Sequence, residues 1–169
     1  MPFPLWAAGS RISALKLNQM IATIVIKNAT QNVASSIVPV DAVDLFFPME
    51  ANALYFFDAT LSFTGDPAAD VRVNWTIPTL AVQSRNIMGA GATTANILDG
   101  TFLGVRRSPL TQQGSATGAG GLFSAYREWG LVQTAGNAGN AQVQFAQNTS
   151  NAIATVCQPD SFIQWRRIG

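Results

Sequence analysis

The sequence predicts an all-β fold, an antiparallel, jelly-roll-like β-sandwich over residues 21–169, led in by an arm of residues 1–20 that carries a short helix. Three observations predict it. Apolar and polar side chains alternate with a period of two, most cleanly over Ala53–Thr64. Turn-forming clusters of Gly, Pro, Asn and Asp recur about every ten residues. No stretch of the chain alternates strand with helix, as a parallel sheet requires.

Residues Met1–Met20 read differently from the rest. Pro2 and Pro4 hold an extended start, and Gly9 breaks it. Ser10 then caps a short helix with Ile12, Leu15 and Met20 on its stripe and Leu17 off it. A helix this short is marginal alone, so it must dock on its own domain or on a neighbour. Leu5 and Trp6 lie beside it as anchors.

From Ile21 the pattern becomes strand-like. Ile21–Lys27 is β-branched and apolar; Ser35–Val40 and Ala42–Phe47 read as two short strands parted around Pro39 and Asp41. In Ala53–Thr64, Tyr55, Phe57, Ala59, Leu61 and Phe63 share one face, with Phe56, Asp58, Thr60 and Ser62 on the other. Gly65-Asp66-Pro67 makes a turn, and Val71, Val73 and Trp75 then alternate in what reads as the return strand. Leu80–Met88 and Ile97–Val105 read as further strands within a region, Gly89–Gly121, that is otherwise loop-like in composition. Ser124–Thr134 alternates Tyr126, Glu128 and Gly130 with Arg127, Trp129 and Leu131. Ala141–Gln147, Ala152–Cys157 and Ser161–Ile168 complete eight to ten strands.

Composition narrows the function. Charged residues are 11% of the chain, against about 25% in ordinary globular proteins. Interface cores show the same poverty of charge, so the surface is expected to be covered by copies of the chain or by a host assembly. The formal net charge is +1, and Arg106-Arg107 and Arg166-Arg167 are isolated pairs, so no nucleic-acid partner is expected. Cys157 is the only cysteine, which rules out an intrachain disulfide and fits a small buried side chain. The N-terminus lacks the pattern of a secretion signal, and no apolar window reaches the ~18 residues of a membrane span. No membrane partner is expected.

Catalysis has little to work with. The chain has no histidine, the residue most used as a general base and metal ligand. Asp58 and Glu128, inside strands, are the only carboxylates worth weighing as a pair; Asp41, Asp44, Asp66, Asp70 and Asp160 fall at turns or strand ends, where they cap backbone groups. Gly89-Ala-Gly91-Ala-Thr-Thr lacks the ending of a phosphate loop. No enzyme activity, catalytic residue, cofactor or metal is expected.

The text also resembles a family. Trp6-Ala-Ala-Gly9-Ser-Arg-Ile-Ser-Ala-Leu-Lys-Leu-Asn18 is similar to the opening of many tailed-bacteriophage virion proteins. Leu45-Phe46-Phe47, Glu50-Ala-Asn-Ala-Leu-Tyr55, Val143-Gln-Phe-Ala-Gln-Asn-Thr-Ser150 and Ser161-Phe-Ile-Gln-Trp-Arg-Arg167 resemble its later segments. The resemblance covers most of the chain and is weakest over Gly89–Gly121. It implies a non-enzymatic structural protein of the phage particle, made in the bacterial cytoplasm and carried on the virion. Such proteins are minor tail, head-fibre or capsid-decoration components, jelly-roll-like and trimeric.

On this reading Leu5, Trp6, Ile12, Leu15 and Leu17 anchor the arm to other capsid or tail proteins. Phe56, Trp129 and Trp165, each placed opposite the better-patterned core face, form the contact between copies. The alternative is a tail-tip module binding a receptor or host surface glycan, with Phe102, Arg106 and Arg107 in its loop. A depolymerase that depends on Asp58 or Glu128 is the third reading.

Overall fold

The protein is described from a computed structural model covering residues 21–90, 102–108, 114–116 and 124–169, with Gly9, Arg11, Ser13 and Ala14; residues 102–108 and 114–116 are described by their backbone alone. Twelve strands follow one another: β1 (Thr23–Ile26), β2 (Gln31–Val33), β3 (Val40–Met49), β4 (Leu54–Thr64), β5 (Val71–Thr76), β6 (Val82–Ala90), β7 (Phe102–Ser108), β8 (Gly114–Ala116), β9 (Ser124–Gln133), β10 (Gly139–Gln147), β11 (Thr155–Cys157) and β12 (Phe162–Arg167). Every element with described bounds is a strand, and Ala14 alone among the described residues is helical. The larger sheet runs β1-β12-β4-β9-β6-β7, with β11 joining β4 to β2, and the smaller runs β3-β10-β5-β8. All pairings are antiparallel, and the two sheets pack as a β-sandwich.

The period-two pattern becomes the core directly. Tyr55, Phe57, Ala59, Leu61 and Phe63 of β4 are buried, as are Val71, Val73 and Trp75 of β5 and Val143 and Phe145 of β10. Phe47 of β3 sits among four rings: its centroid is 6.1 Å from Tyr55, 6.3 Å from Phe57, 6.3 Å from Trp75 and 5.3 Å from Trp165. Each such side chain contributes about 1.5–3 kcal/mol by leaving water.

Two expectations are corrected. β5 is not the return strand beside β4: it belongs to the smaller sheet, pairing with β10 and β8. The turn between them crosses from one layer to the other. Asp66 shapes that crossing, its Oδ1 accepting the Ala68 N–H at 2.7 Å and its carbonyl the Ala69 N–H at 3.0 Å, with Asp70 at φ 52°.

Ser35–Val40 and Ala42–Phe47 are not two strands: residues 35–39 are irregular, Val40–Met49 is a single strand, and the irregularity within it is a bulge. The register against β10 shifts between Gln142 and Gln144, and Asp44 takes φ 73°. Side chains hold the bulge open. Gln142 Nε2 donates to the carbonyls of Ala42 (2.8 Å) and Leu45 (3.1 Å). Along the free edge, Gln31 acts as one peptide unit of a missing strand, donating to Asp41 O at 2.7 Å and accepting from Val43 N at 2.8 Å. Lys27, buried, donates to Val43 O at 3.1 Å.

Gly130 of β9 has no room for a side chain. A Cβ there would stand 2.2 Å from Ser84 O and 2.9 Å from Arg85 Cα, both backbone atoms of β6. Gly130→Ala is expected to prise β6 from β9 and cost about 1–3 kcal/mol or more. Guanidinium unfolding reads the loss, and hydrogen exchange localises it to β6.

Candidate association surface

Because strand partners in register share a face, the pairings define what the larger sheet shows to solvent. Across its outer face run Ile24 and Ile26 of β1, Phe162, Gln164 and Arg166 of β12, and Phe56, Asp58 and Thr60 of β4. Arg127, Trp129 and Leu131 of β9 continue the face, with Val82, Ser84, Asn86 and Met88 of β6 beyond them. Ile24 is 56% exposed, Leu131 43% and Val82 65%. Phe56 and Trp129 are half-buried.

Charge on this face is sparse: Asp58 and Arg127, which pair, and Arg166, which lies on an aromatic ring. Arg127 grips Asp58 through Nε to Oδ1 at 2.9 Å and Nη2 to Oδ2 at 2.5 Å. That carboxylate pushes the Arg127 pKa above its usual value, chiefly by hydrogen bonding and then by charge. Arg127 also lies over the Trp129 ring at 5.3 Å, and Arg166 over the Phe56 ring at 5.7 Å. Among the described strand positions of this face there is neither lysine nor glutamate. Arginine and aromatic rings without lysine or glutamate is a bias that interface cores share.

The outer face of the smaller sheet is different in kind. Arg72, Asn74 and Thr76 of β5 meet Ala146, Gln144 and Gln142 of β10. Two of its amides bond within the fold: Gln144 Nε2 donates to Asp41 Oδ1 at 2.8 Å, and Gln142 serves the bulge.

Of the residues predicted to join copies of the chain, Phe56 and Trp129 lie together on the outer face of the larger sheet. Trp165 does not. Its register opposite Phe57 turns it inward, where it stacks on Phe47 at 5.3 Å and approaches Tyr55 at 5.9 Å. Both faces of β12 are mixed in polarity, and only the pairing with β4 decides between them. Leu5, Trp6, Ile12, Leu15 and Leu17 lie outside the described residues. Phe102, Arg106 and Arg107 fall in β7, the outermost strand of the path, described by backbone alone.

Asp58 and Glu128 point to opposite sides of the sheet, so they do not face each other across a cleft. Asp58 is opposite Trp129 in register, whereas Glu128 is opposite Ala59. Glu128 is fully buried and carries a feature the sequence reading missed. Arg85 Nη1 donates to both its oxygens, at 2.7 and 2.8 Å, and Trp75 Nε1 donates to Oε2 at 2.5 Å. Arg85 and Glu128 side chains are both 0% exposed. This trio ties β6 and β9 of one sheet to β5 of the other. The signal in the sequence was Arg85 and Glu128 on the inward parity of their strands.

Cys157 is buried, and desolvation pushes its thiol pKa up despite opposing contributions from Ser161 and Lys27. That favours the inert, protonated thiol. Among the described residues no group of three or more His, Cys, Asp or Glu is placed to hold a metal ion.

The two ends of the sandwich differ. β1 enters antiparallel to β12, whose last residues lie beside Leu54: the Leu54 N–H donates to Gly169 O at 2.9 Å, and the Ile168 N–H to Leu54 O at 2.7 Å. Residue 21 and the C-terminal residue therefore emerge at one end, the base. At the far end, the β2–β3 and β10–β11 connections show Ile37 (47% exposed), Val38 (66%) and Ile153 (58%). Gln147, fully buried, locks both connections, accepting from Ser36 N at 3.3 Å and Asn151 N at 3.0 Å and donating to Ile153 O at 2.7 Å.

Comparison with protein-family models and with curated proteins finds no match for this sequence.

Proposed function

We propose that this protein is a non-enzymatic structural component of a tailed-phage virion, a self-associating decoration- or fibre-type module fastened to the particle by residues 1–20. The observation that carries the reading is the polarity of the domain. Residue 21, which follows the arm, lies at the base beside Gly169, at the end opposite the exposed Ile37, Val38 and Ile153.

The strand order supports a jelly roll within this proposal. With β2, β11 and the β6–β7 pair set aside, eight strands remain, and the first pairs with the last: β1 with β12, β3 with β10, β4 with β9, β5 with β8. That nesting is what two wrapped Greek keys produce. A structural role also accords with how the two carboxylates weighed for catalysis are spent, Glu128 on Arg85 and Trp75, Asp58 on Arg127.

Deleting residues 1–20 is expected to leave a folded, self-associating protein that no longer joins particles. Purified particles assembled with the truncated chain, probed by immunoblot, check this; incorporation at the wild-type level removes the anchoring role.

The locked apolar loops at the far end favour one second reading, a receptor-binding tip at the end of a tail. Binding of the purified protein to host cells that is lost in Ile37→Ser with Ile153→Ser supports that reading over the first.

A further inference from the structure

We propose that the outer face of the larger sheet is where a second copy of this chain docks, face to face about a two-fold axis. The inference rests on the self-associating part of the proposed function and names its surface.

The extent of the face suits such a contact. From β1 to β6 it spans about 24 Å across the strands and about 27 Å along them, roughly 650 Å2 in projection at ordinary strand spacing. Side-chain relief brings it near the ~800 Å2 that one partner contributes to a standard interface. The chemistry suits it too. Trp129, Phe56 and the two arginines laid over them are the residue types that dominate binding energy at interface centres. Leu131, Val82, Ile24 and Ile26 surround them with apolar area that water now covers.

The charge pattern selects the occupant. Asp58 and Arg127 stand side by side, one anion and one cation bonded to each other. A two-fold axis lying in the contact plane, at right angles to the line joining the two charges, sets such a pair against itself reversed. Asp58 then meets the partner subunit's Arg127, and Arg127 meets the partner subunit's Asp58, closing a ring of alternating charge. A partner of single sign would leave one of the two charges opposed by a like charge. The outer face of the smaller sheet, though it shows Phe46, has no ion pair among its described strand positions to set against itself, and Gln142 and Gln144 there are bonded within the fold.

A face that meets itself is an isologous contact and produces pairs, whereas three-fold packing needs two different patches. The proposal is therefore distinct from the trimer that the resemblance implies.

The test uses the full chain and two variants, Asp58→Arg and Arg127→Asp, with mass in solution read by analytical ultracentrifugation. The wild type is expected to sediment as two chains. Each variant alone is expected to sediment at half that mass, because like charges now meet across the axis. An equimolar mixture of the two is expected to regain the double mass, because each variant supplies what the other lacks. This recovery cannot arise from misfolding. A wild type of one chain or three, variants that keep the wild-type mass, or a mixture that stays at the single-chain mass would each overturn the proposal. Should a variant lose its β-sheet circular dichroism, Leu131→Arg takes its place, and retention of the double mass there overturns it equally. Particle incorporation is scored separately. Its loss on arm deletion bears on the anchoring reading, and the mass of the mixture bears only on this face.

Discussion

Glu128→Ala is expected to destabilise the protein by about 3–5 kcal/mol, the loss seen when one member of a buried ion pair is removed. The side chain is fully buried and neutralises Arg85, which is fully buried too. Without it the guanidinium keeps its charge in a site with little solvent, and the Trp75 N–H loses its acceptor. Against a total stability of about 5–15 kcal/mol, that is a large fraction. Guanidinium unfolding of the two proteins measures it. The companion variant, Arg85→Met with Glu128→Leu, separates charge from shape. It removes both charges together, so it is expected to recover much of the loss, but not all, because the orphaned Trp75 N–H still costs about 1–3 kcal/mol. A double variant as unstable as the single one would mean that the trio acts through packing rather than through charge.

Phe47→Ala is the second large effect, about 3–5 kcal/mol. Phe47 is completely buried and contacts rings from both layers: Tyr55 and Phe57 of β4, Trp165 of β12 and Trp75 of β5. Truncation leaves a cavity that stiff aromatic neighbours cannot collapse to fill. The stacked Trp165 loses its partner, so near-ultraviolet circular dichroism should weaken together with the unfolding midpoint. Phe46→Ala, one residue away with its side chain 41% exposed, is expected to change stability far less, which isolates burial as the cause.

The alternation in β4 and β9 was legible because a half-buried strand needs a period of two. Tyr55, Phe57, Ala59, Leu61 and Phe63 went inward as predicted. The same rule failed at β12. Phe162 and Trp165 sit on opposite parities of one short strand, and a one-residue change of register would exchange them. It failed differently at β5, where the pattern is correct but the partner is not. A short turn after β4 can close a hairpin within one sheet or step across to the other, and Gly65-Asp66-Pro67 is compatible with both.

The bulge in β3 and the Arg85–Glu128–Trp75 trio share a cause of their own. Each depends on side chains brought together from strands far apart in the chain: Gln31 and Gln142 for the bulge, Trp75 and Glu128 for the trio. No spacing within a window of sequence encodes such a meeting.

By itself, the sequence determined the all-β character, most of the longer strands and the inward residues of the best-patterned ones, because these follow from local periodicity and turn chemistry. Only the tertiary structure decided which sheet each strand joins, which residues the larger sheet turns toward solvent, and that a charge pair lies in the core. Those depend on register between distant strands, a relation that the chain acquires only when its layers close on each other.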